Sequence, residues 1–228
     1  ISAVLLVMGG FGTRLGMWSY SGGFTVASGG VLLAAAGFFL GVIGYIVALR
    51  KGLKAERSNL LIALVICTIL LVQVGMQMNA ISSVPAIHNI STDTQDPPAF
   101  DALVAVREAE GANPSAYNAS VLARQQQQAY PWVQTLKVPT NPGIVLNQAV
   151  SVLEDLGLEV VNVSVEQGIA EATDTTFWFG FKDDVVVRVR ENVEGGSLVD
   201  VRSVSRVGRS DLGVNAKRIG AILQGLRD

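Results

Sequence analysis

Two long stretches without a charged residue constrain this chain more than any other feature. Residues 28–49 number 22 and residues 59–81 number 23, and neither stretch contains Asp, Glu, Lys or Arg. At about 1.5 Å per residue, a helix over either stretch is about 33 to 35 Å long, enough to cross a hydrocarbon core of about 30 Å. We therefore predict transmembrane helices over 28–49 and 59–81.

The first twelve residues, ISAVLLVMGGFG, have the composition of half a further span. We interpret residues 1–12 as a partial span, the end of a clipped first helix. A cleaved signal peptide is the less favoured alternative, because the stretch shows neither a charged start nor a small-residue cleavage site. Residues 1–81 are thus predicted to form a transmembrane anchor.

The loop RKGLKAERS between the two main spans predicts the orientation. It carries four basic residues, Arg50, Lys51, Lys54 and Arg57, against the single acid Glu56. Short loops rich in Lys and Arg stay on the cytoplasmic side. The N-terminus is then cytoplasmic, and everything after Ile81 lies on the opposite side of the membrane.

The two parts of the chain differ in charge. Residues 1–81 hold five basic residues and one acid, whereas residues 82–228 hold twelve basic and eighteen acidic residues. Phosphate backbones require a basic surface, so the acidic outer part argues against a nucleic-acid partner. The single cysteine, Cys67, lies within a predicted span, so the outer part must depend on an apolar core rather than on disulfides.

The outer part is predicted to have two sections. Residues 82–140 are rich in Pro, Ser, Thr and Asp at their start and have no regular apolar period, which indicates an extended strap followed by an irregular helical segment. Residues 141–228 show a helix beginning at Asn141 and Pro142, then four strand-like runs, then an amphipathic helix over 211–227. The four runs cover 158–165, 169–181, 184–192 and 197–206.

The order α-β-β-β-β-α with short connections predicts an α+β fold. N-terminal transmembrane helices would be followed by a small antiparallel sheet of about four strands, with two helices on one face. If a three-residue loop over 194–196 joins the last two strands, Arg190 lies opposite Asp200 and Arg188 opposite Arg202, although a bulge at Gly195 or Gly196 would shift this register.

An arginine-rich sheet face is the strongest candidate for a functional site. Arg188, Arg190, Arg202 and Arg206 are predicted to share the face opposite the valines, with Arg209 near the start of the last helix. Guanidinium groups beside a helix start bind phosphate or carboxylate groups, of a ligand or of a partner. The alternative is internal salt bridging, because Asp183, Asp184, Asp200 and Asp211 lie close in sequence.

Within the membrane, small and amide side chains mark helix-packing faces. Gly37, Gly41 and Gly44 repeat at the spacing that allows close approach of helices. Gln73 and Gln77, four residues apart, place two amides on one side of their span. We interpret them as interhelical hydrogen-bonding groups, within the protein or to another subunit.

The sequence has few residues that are suited to catalysis. His88 is the only histidine and lies in the strap, so a Ser-His-Asp or Cys-His site has no basis. Asp183 and Asp184 are adjacent on a strand and point to opposite faces, so they cannot act as a carboxylate pair. We expect no catalytic residues, no metal and no cofactor. The FWFGF run at 177–181 is interpreted as core packing, with an apolar groove as the alternative.

Several motifs together resemble one uncharacterised family of bacteria and plastids, the domain of unknown function 1499 family. They are GTRLGMWSYSGGF (12–24), IHNISTDTQDPPAF (87–100), AYPWVQTL (129–136), FWFGFKDDVVVRV (177–189) and VDVRSVSRVGRSDLGVNAKRI (199–219). The resemblance covers nearly the whole chain. It implies a membrane-anchored envelope protein, without an established activity or catalytic residues.

These observations lead to two expected functions. The first is a non-enzymatic protein of the bacterial inner membrane whose periplasmic domain binds a partner protein or anionic lipid. The second is a structural accessory subunit of a larger membrane protein complex. The expected partners are membrane lipids and a membrane or periplasmic protein.

Overall fold

The computed structural model describes residues 1–82 and 84–227, and the side chains of residues 80–82 are not described. Ser83, in the predicted strap, and Asp228, the end of the predicted outer domain, lie outside the described residues. The chain forms two compact units. A helical unit comprises Ile1–Ser83 and Thr176–Gly180, and a sheet unit comprises Val84–Thr175 and Phe181–Asp228.

The helical unit has three helices, α1 (Ser2–Arg14), α2 (Tyr20–Lys51) and α3 (Lys54–Ser82). Two of these are long and apolar enough to cross a membrane, α2 over its full length and α3 over Lys54–Asn79. Only 17% of the apolar window of α2 and none of that of α3 is buried within the protein, unlike the core helices of soluble domains. Helix α1 contains the predicted partial span, but its 13 residues are too few to cross a bilayer.

The sheet unit contains six antiparallel strands rather than the predicted four: β1 (Asn89–Ser91), β2 (Leu136–Val138), β3 (Glu159–Ser164), β4 (Ile169–Thr175), β5 (Lys182–Glu191) and β6 (Ser197–Ser205). The hydrogen-bonded order is β1-β6-β5-β4-β3, and β2 also pairs with β6. The two additional strands have three residues each, too short for an alternating pattern to show in the sequence.

Four helices complete the sheet unit: α4 (Ala102–Ala109), α5 (Ala119–Ala129), α6 (Pro142–Asp155) and α7 (Val214–Gly225). Helix α6 begins as the sequence predicts, because the Asn141 side chain accepts the amide hydrogen of Gly143 and Pro142 occupies the first turn. Helices α6 and α7 bury their apolar stripes against the valines of β5 and β6 and form the main core. The α+β fold is therefore confirmed, with α6 and α7 against the valine face of the sheet.

The opposite face of the sheet has a second, smaller core. Phe100 and Leu103 pack there against Val186 and Val204. We call this the strap face, because it is covered by residues 92–101, which follow β1, and by α4. The face is thus buried under the strap rather than open to solvent.

The β5–β6 hairpin differs from the predicted register by two residues. Arg188 lies opposite Asp200, Arg190 opposite Leu198, and Arg202 opposite Val186. The connecting loop has five residues, Asn192–Gly196, rather than three, because Glu191 still pairs with Ser197. Even-numbered residues of β5 still pair with even-numbered residues of β6, which keeps each odd-numbered valine on the core face.

The strand predicted over 169–181 ends early, at Thr175. Residues 176–180 leave the sheet and belong to the helical unit. Gly180 has φ +69°, a conformation that continues no strand, and its amide hydrogen bonds to the Thr176 carbonyl. The FWFGF run was interpreted as core packing; Phe179 is buried, but residues 177–180 lie in the helical unit, where Phe177 and Trp178 are exposed.

Candidate functional site

The strap face carries four of the five arginines predicted as a binding site. Even-numbered residues of β5 and β6 point to this face, which places Arg188, Arg190 and Arg202 on it. Arg206 follows β6 and reaches the same side, where it contacts Asp184. The strap covers them, so the arrangement is a set of buried and half-buried ion pairs rather than an open cationic patch.

Asp200 is fully buried at the centre of the first ion-pair cluster. Its Oδ2 accepts hydrogen bonds from Arg188 Nη2 at 3.1 Å and from Arg190 Nη2 at 2.7 Å. Both arginines also reach the Asp96 carboxylate of the strap, at 3.0 and 3.2 Å, and lie within 3.6 Å of Asp93. Three carboxylates therefore neutralise two guanidinium groups and fasten the strap to the sheet.

Asp184 is the centre of the second cluster. Arg206 binds both of its oxygens, at 2.7 and 2.9 Å, and Arg107 of α4 binds Oδ2 at 2.6 Å. Arg206 also donates to Glu110 at 2.7 Å. Burial alone would raise the pKa of Asp184, but the hydrogen bonds from Arg206 and from a threonine hydroxyl outweigh it and lower this pKa. The Arg206 hydrogen bond likewise lowers the pKa of Glu110.

Arg202 is buried without a carboxylate partner among the described residues. Its Nε donates to Asn89 Oδ1 at 3.0 Å, and its terminal nitrogens donate to the carbonyls of Pro98, at 3.0 Å, and Ser115. The Phe100 ring lies 5.5 Å from its guanidinium carbon. Burial, reinforced by the charge of Arg107, lowers the pKa of Arg202 to about 10. Each nitrogen of the Arg202 guanidinium therefore already donates a hydrogen bond within the protein.

Arg209 differs from the other four arginines. It is exposed in the loop between β6 and α7, and it forms no hydrogen bond or ion pair with any residue that the structure describes. Leu212 in the same loop has φ +56°, the left-handed conformation that leucine adopts rarely, and is 39% exposed. Val214, two residues further on, is exposed as well. The loop thus presents one free cation beside two apolar side chains.

The same loop places an aspartate carboxylate at the start of α7. Asp211 accepts the amide hydrogens of Gly213 and Asn215, each at 2.9 Å. Burial raises the pKa of Asp211 despite these bonds. Because this carboxylate already occupies the N-terminus of α7, that terminus offers no vacant anion site.

The glycines predicted to pack in the membrane lie on one side of α2. A Cβ added at Gly41 or Gly44 would lie 3.0 or 3.3 Å from Leu64 or Leu60 of α3, and one at Gly37 would lie 3.5 Å from the Cys67 sulfur. The three positions therefore let α2 and α3 approach closely. Gln73 and Gln77 are exposed on α3, and neither amide bonds to a described residue.

The remaining titratable groups offer little for catalysis. Asp183 and Asp184 point to opposite faces, and Asp183 pairs with Arg218 of α7 at 2.8 Å. The described residues contain no group of three His, Cys, Asp or Glu side chains able to hold a metal. The imidazole of His88 forms no hydrogen bond within the part of the chain that the structure describes.

Sequence reasoning missed two side chains of these networks. Arg107 follows Leu103 by one helical turn in α4, and both are buried. A charged residue on the apolar stripe of a short helix was the signal that could have identified it. Glu171 is fully buried on β4, and its carboxylate accepts the amide hydrogens of Asp101 and Ala102, each at 2.8 Å, at the start of α4.

The sheet domain matches a known protein family. The model of a family described as "Protein of unknown function (DUF1499)" matches residues 89–226, more than half of the sequence. The chain belongs to the DUF1499 family. The match begins at β1 and includes α7, so it covers the sheet domain, whereas the helices α1 to α3 lie outside the matched residues. No curated protein matches the chain.

Proposed function

We propose that this DUF1499 chain is a non-enzymatic protein of the bacterial inner membrane, anchored by α2 and α3, with its sheet domain in the periplasm. The anchoring is supported by the apolar and exposed surfaces of these two helices. The orientation is supported by the basic residues around Gly52, which joins α2 to α3. The absence of catalysis is a proposal that rests on the pairing of the buried charges with one another.

We propose further that the β6–α7 loop binds anionic lipid headgroups. The observation that carries this is the exposed Leu212, held in a strained conformation beside the unpaired Arg209 and the exposed Val214. A cation next to apolar side chains suits the boundary between headgroups and acyl chains. Val84 lies against Gly213, so this loop packs on the residue that opens the sheet unit.

Retention of lipid by the full-length protein tests the proposal. Native mass spectrometry of the chain, extracted in mild detergent with phosphatidylglycerol, should show bound lipid that Arg209→Ala removes. Arg124→Ala, which removes an exposed arginine of α5, is the matched control and should retain the lipid. Equal retention by both variants would refute headgroup binding at this loop. A protein retained in place of lipid would assign the loop to a protein partner and also contradict the proposal.

Leu212→Gly separates binding from folding. A left-handed non-glycine residue costs about 1 to 2 kcal/mol, so glycine at position 212 should leave stability unchanged or increased. It should nevertheless weaken lipid retention, because an exposed apolar side chain is lost. Unchanged retention would show that Leu212 has no part in binding.

The alternative function, an accessory subunit of a larger membrane complex, is favoured by a different observation. Gln73 and Gln77 expose two amides on α3, in the second half of an apolar helix. Amides within hydrocarbon are stabilised by hydrogen bonds to another helix, by about 0.6 to 2 kcal/mol each. We expect the double replacement Gln73→Leu and Gln77→Leu to abolish crosslinks from this face in native membranes if that function holds. A Thr68→Leu variant, whose hydroxyl bonds within α3, should keep those crosslinks.

A further inference from the structure

The loop between β4 and β5, residues 176–180 with the sequence TFWFG, joins the helical unit rather than the sheet. Arg14 at the end of α1 donates from Nη1 to the carbonyls of Thr176 and Phe177, at 2.8 and 2.7 Å. The Trp178 indole donates to the Val7 carbonyl at 3.1 Å. The loop is thus fixed to α1 by three hydrogen bonds, and its aromatic side chains have defined positions.

The helices are shaped to accept this loop. A Cβ at residue 10 would overlap the Trp178 indole, so Gly10 is needed for the ring to lie against α1. Phe177 packs edge-on against Phe11 with ring centroids 5.4 Å apart, and Phe179 lies 5.0 Å from Phe24 of α2. The loop therefore packs closely against both α1 and α2.

The aromatic cluster is nevertheless open on its outer side. Phe177 remains 77% exposed and Trp178 42% exposed. The turn between α1 and α2 exposes further apolar side chains next to the basic Arg14: Leu15, Met17, Tyr20. This combination of Trp, Tyr and Phe with a basic residue is typical of the boundary between bilayer and water.

The length of α2 places this cluster at such a boundary. The helix runs from Tyr20 to Lys51, about 48 Å at 1.5 Å per residue, and a bilayer with its headgroups is about 40 to 45 Å thick. Arg50 and Lys51 mark one end of the helix. The end near Tyr20, with the aromatic loop beside it, then reaches the headgroup region of the other leaflet.

We propose that residues 176–180 form a lipid-contact site, in which Phe177 and Trp178 insert into the headgroup and upper acyl-chain region of the bilayer. This rests on the proposed anchoring of α2 and α3 and adds a third membrane contact within the helical unit. Arg14 holds the loop backbone, which leaves both rings free to contact lipid.

Quenching of tryptophan fluorescence by brominated lipids tests this site. The full chain with Trp18→Phe and Trp132→Phe retains Trp178 alone, and it is reconstituted in phosphatidylglycerol–phosphatidylcholine vesicles. Bromines near the carboxyl end of the acyl chain should quench Trp178 more strongly than bromines near the terminal methyl. A Val193→Trp variant, in a chain with all three native tryptophans replaced by Phe, places the fluorophore on the exposed β5–β6 loop and should lose less fluorescence than the Trp178 protein with either lipid.

A variant within α2 separates this inference from the anchoring itself. Phe39→Trp, in a chain with all three native tryptophans replaced by Phe, places a fluorophore at an exposed position in the middle of α2. Strong quenching at position 39 with none at Trp178 would overturn the lipid-contact site and leave the anchor intact. Stronger quenching of Trp178 by the deep bromines would overturn its placement at the headgroups. No quenching at either position would overturn the anchoring and this inference together.

Discussion

Asp184→Asn is expected to destabilise the sheet domain strongly. Asp184 is completely buried and binds both Arg206 and Arg107, at 2.7 and 2.6 Å. The amide removes the negative charge and leaves Arg107 with no carboxylate among the described residues, while Arg206 keeps only the partly exposed Glu110. Removing one member of a buried ion pair costs about 3 to 5 kcal/mol, because the remaining charge stays desolvated.

Pulse proteolysis of the full chain in urea and detergent measures this effect, since it reports the folded fraction of the domain directly. The matched control is Glu194→Gln, which breaks a pair with Lys137 in which both side chains are largely exposed. Exposed pairs contribute about 0 to 1 kcal/mol, so the control should unfold near the wild-type midpoint. A loss below about 1 kcal/mol for Asp184→Asn would contradict the role of this ion-pair cluster in holding α4 on the sheet.

Two further predictions follow from the same contacts. The pKa values of Asp184 and Glu110 are lowered in the folded state, so the stabilisation from these carboxylates is complete above their ordinary pKa values and is lost as the pH falls through the folded values. The free energy of unfolding should therefore decline below about pH 4, and it should decline less steeply for Asp184→Asn. Urea titrations at successive pH values measure this dependence. In the protein that retains only Trp178, Gly10→Ala should displace the indole and increase its quenching by acrylamide. Gly29→Ala is the control, because a Cβ at that position meets no atom within 4 Å, and it should leave the quenching unchanged. Equal quenching in both variants would contradict the packing of the loop on α1.

The sequence predicts the elements with strong periodicity. The uncharged stretches 28–49 and 59–81 lie within α2 and α3, and the apolar stripes from Val145 to Leu153 and from Ala216 to Leu223 lie on α6 and α7. Each of these patterns repeats over several turns, so local chemistry is enough to define it. The resemblance to the DUF1499 family is likewise confirmed, by a match over residues 89–226 that does not include the motif at 12–24.

The elements that the sequence does not reveal depend on contacts distant along the chain. Strands β1 and β2 form because β6 offers a free edge to the strap, and Gln126 of α5 bonds to both the amide and the carbonyl of Ser91. The run FWFGF has the residues of a strand, but its rings pack on helices that precede it by more than 150 residues. Hydrophobic composition alone does not say which surface buries a ring.

The sequence predicts where the arginines of the candidate site lie, but not whether their charges are paired. Alternation along β5 and β6 is enough to place Arg188, Arg190 and Arg202 on one face. Whether those charges are free depends on the strap, whose Asp93 and Asp96 bind Arg188 and Arg190 and whose Pro98 carbonyl binds Arg202. Only the folded structure shows that the strap neutralises this face and that Arg209 alone of the five arginines lacks a described partner.

We propose that α2 and α3 span a membrane and that the sheet domain lies on its outer side. The most direct measurement is labelling by a membrane-impermeant maleimide in intact spheroplasts, with Cys67→Ser as background. Val193→Cys, at a fully exposed position of the β5–β6 loop, should be labelled in intact spheroplasts. Ala55→Cys, at the start of α3, should be labelled only after permeabilisation. The reverse pattern, or labelling of both positions without permeabilisation, would contradict this topology.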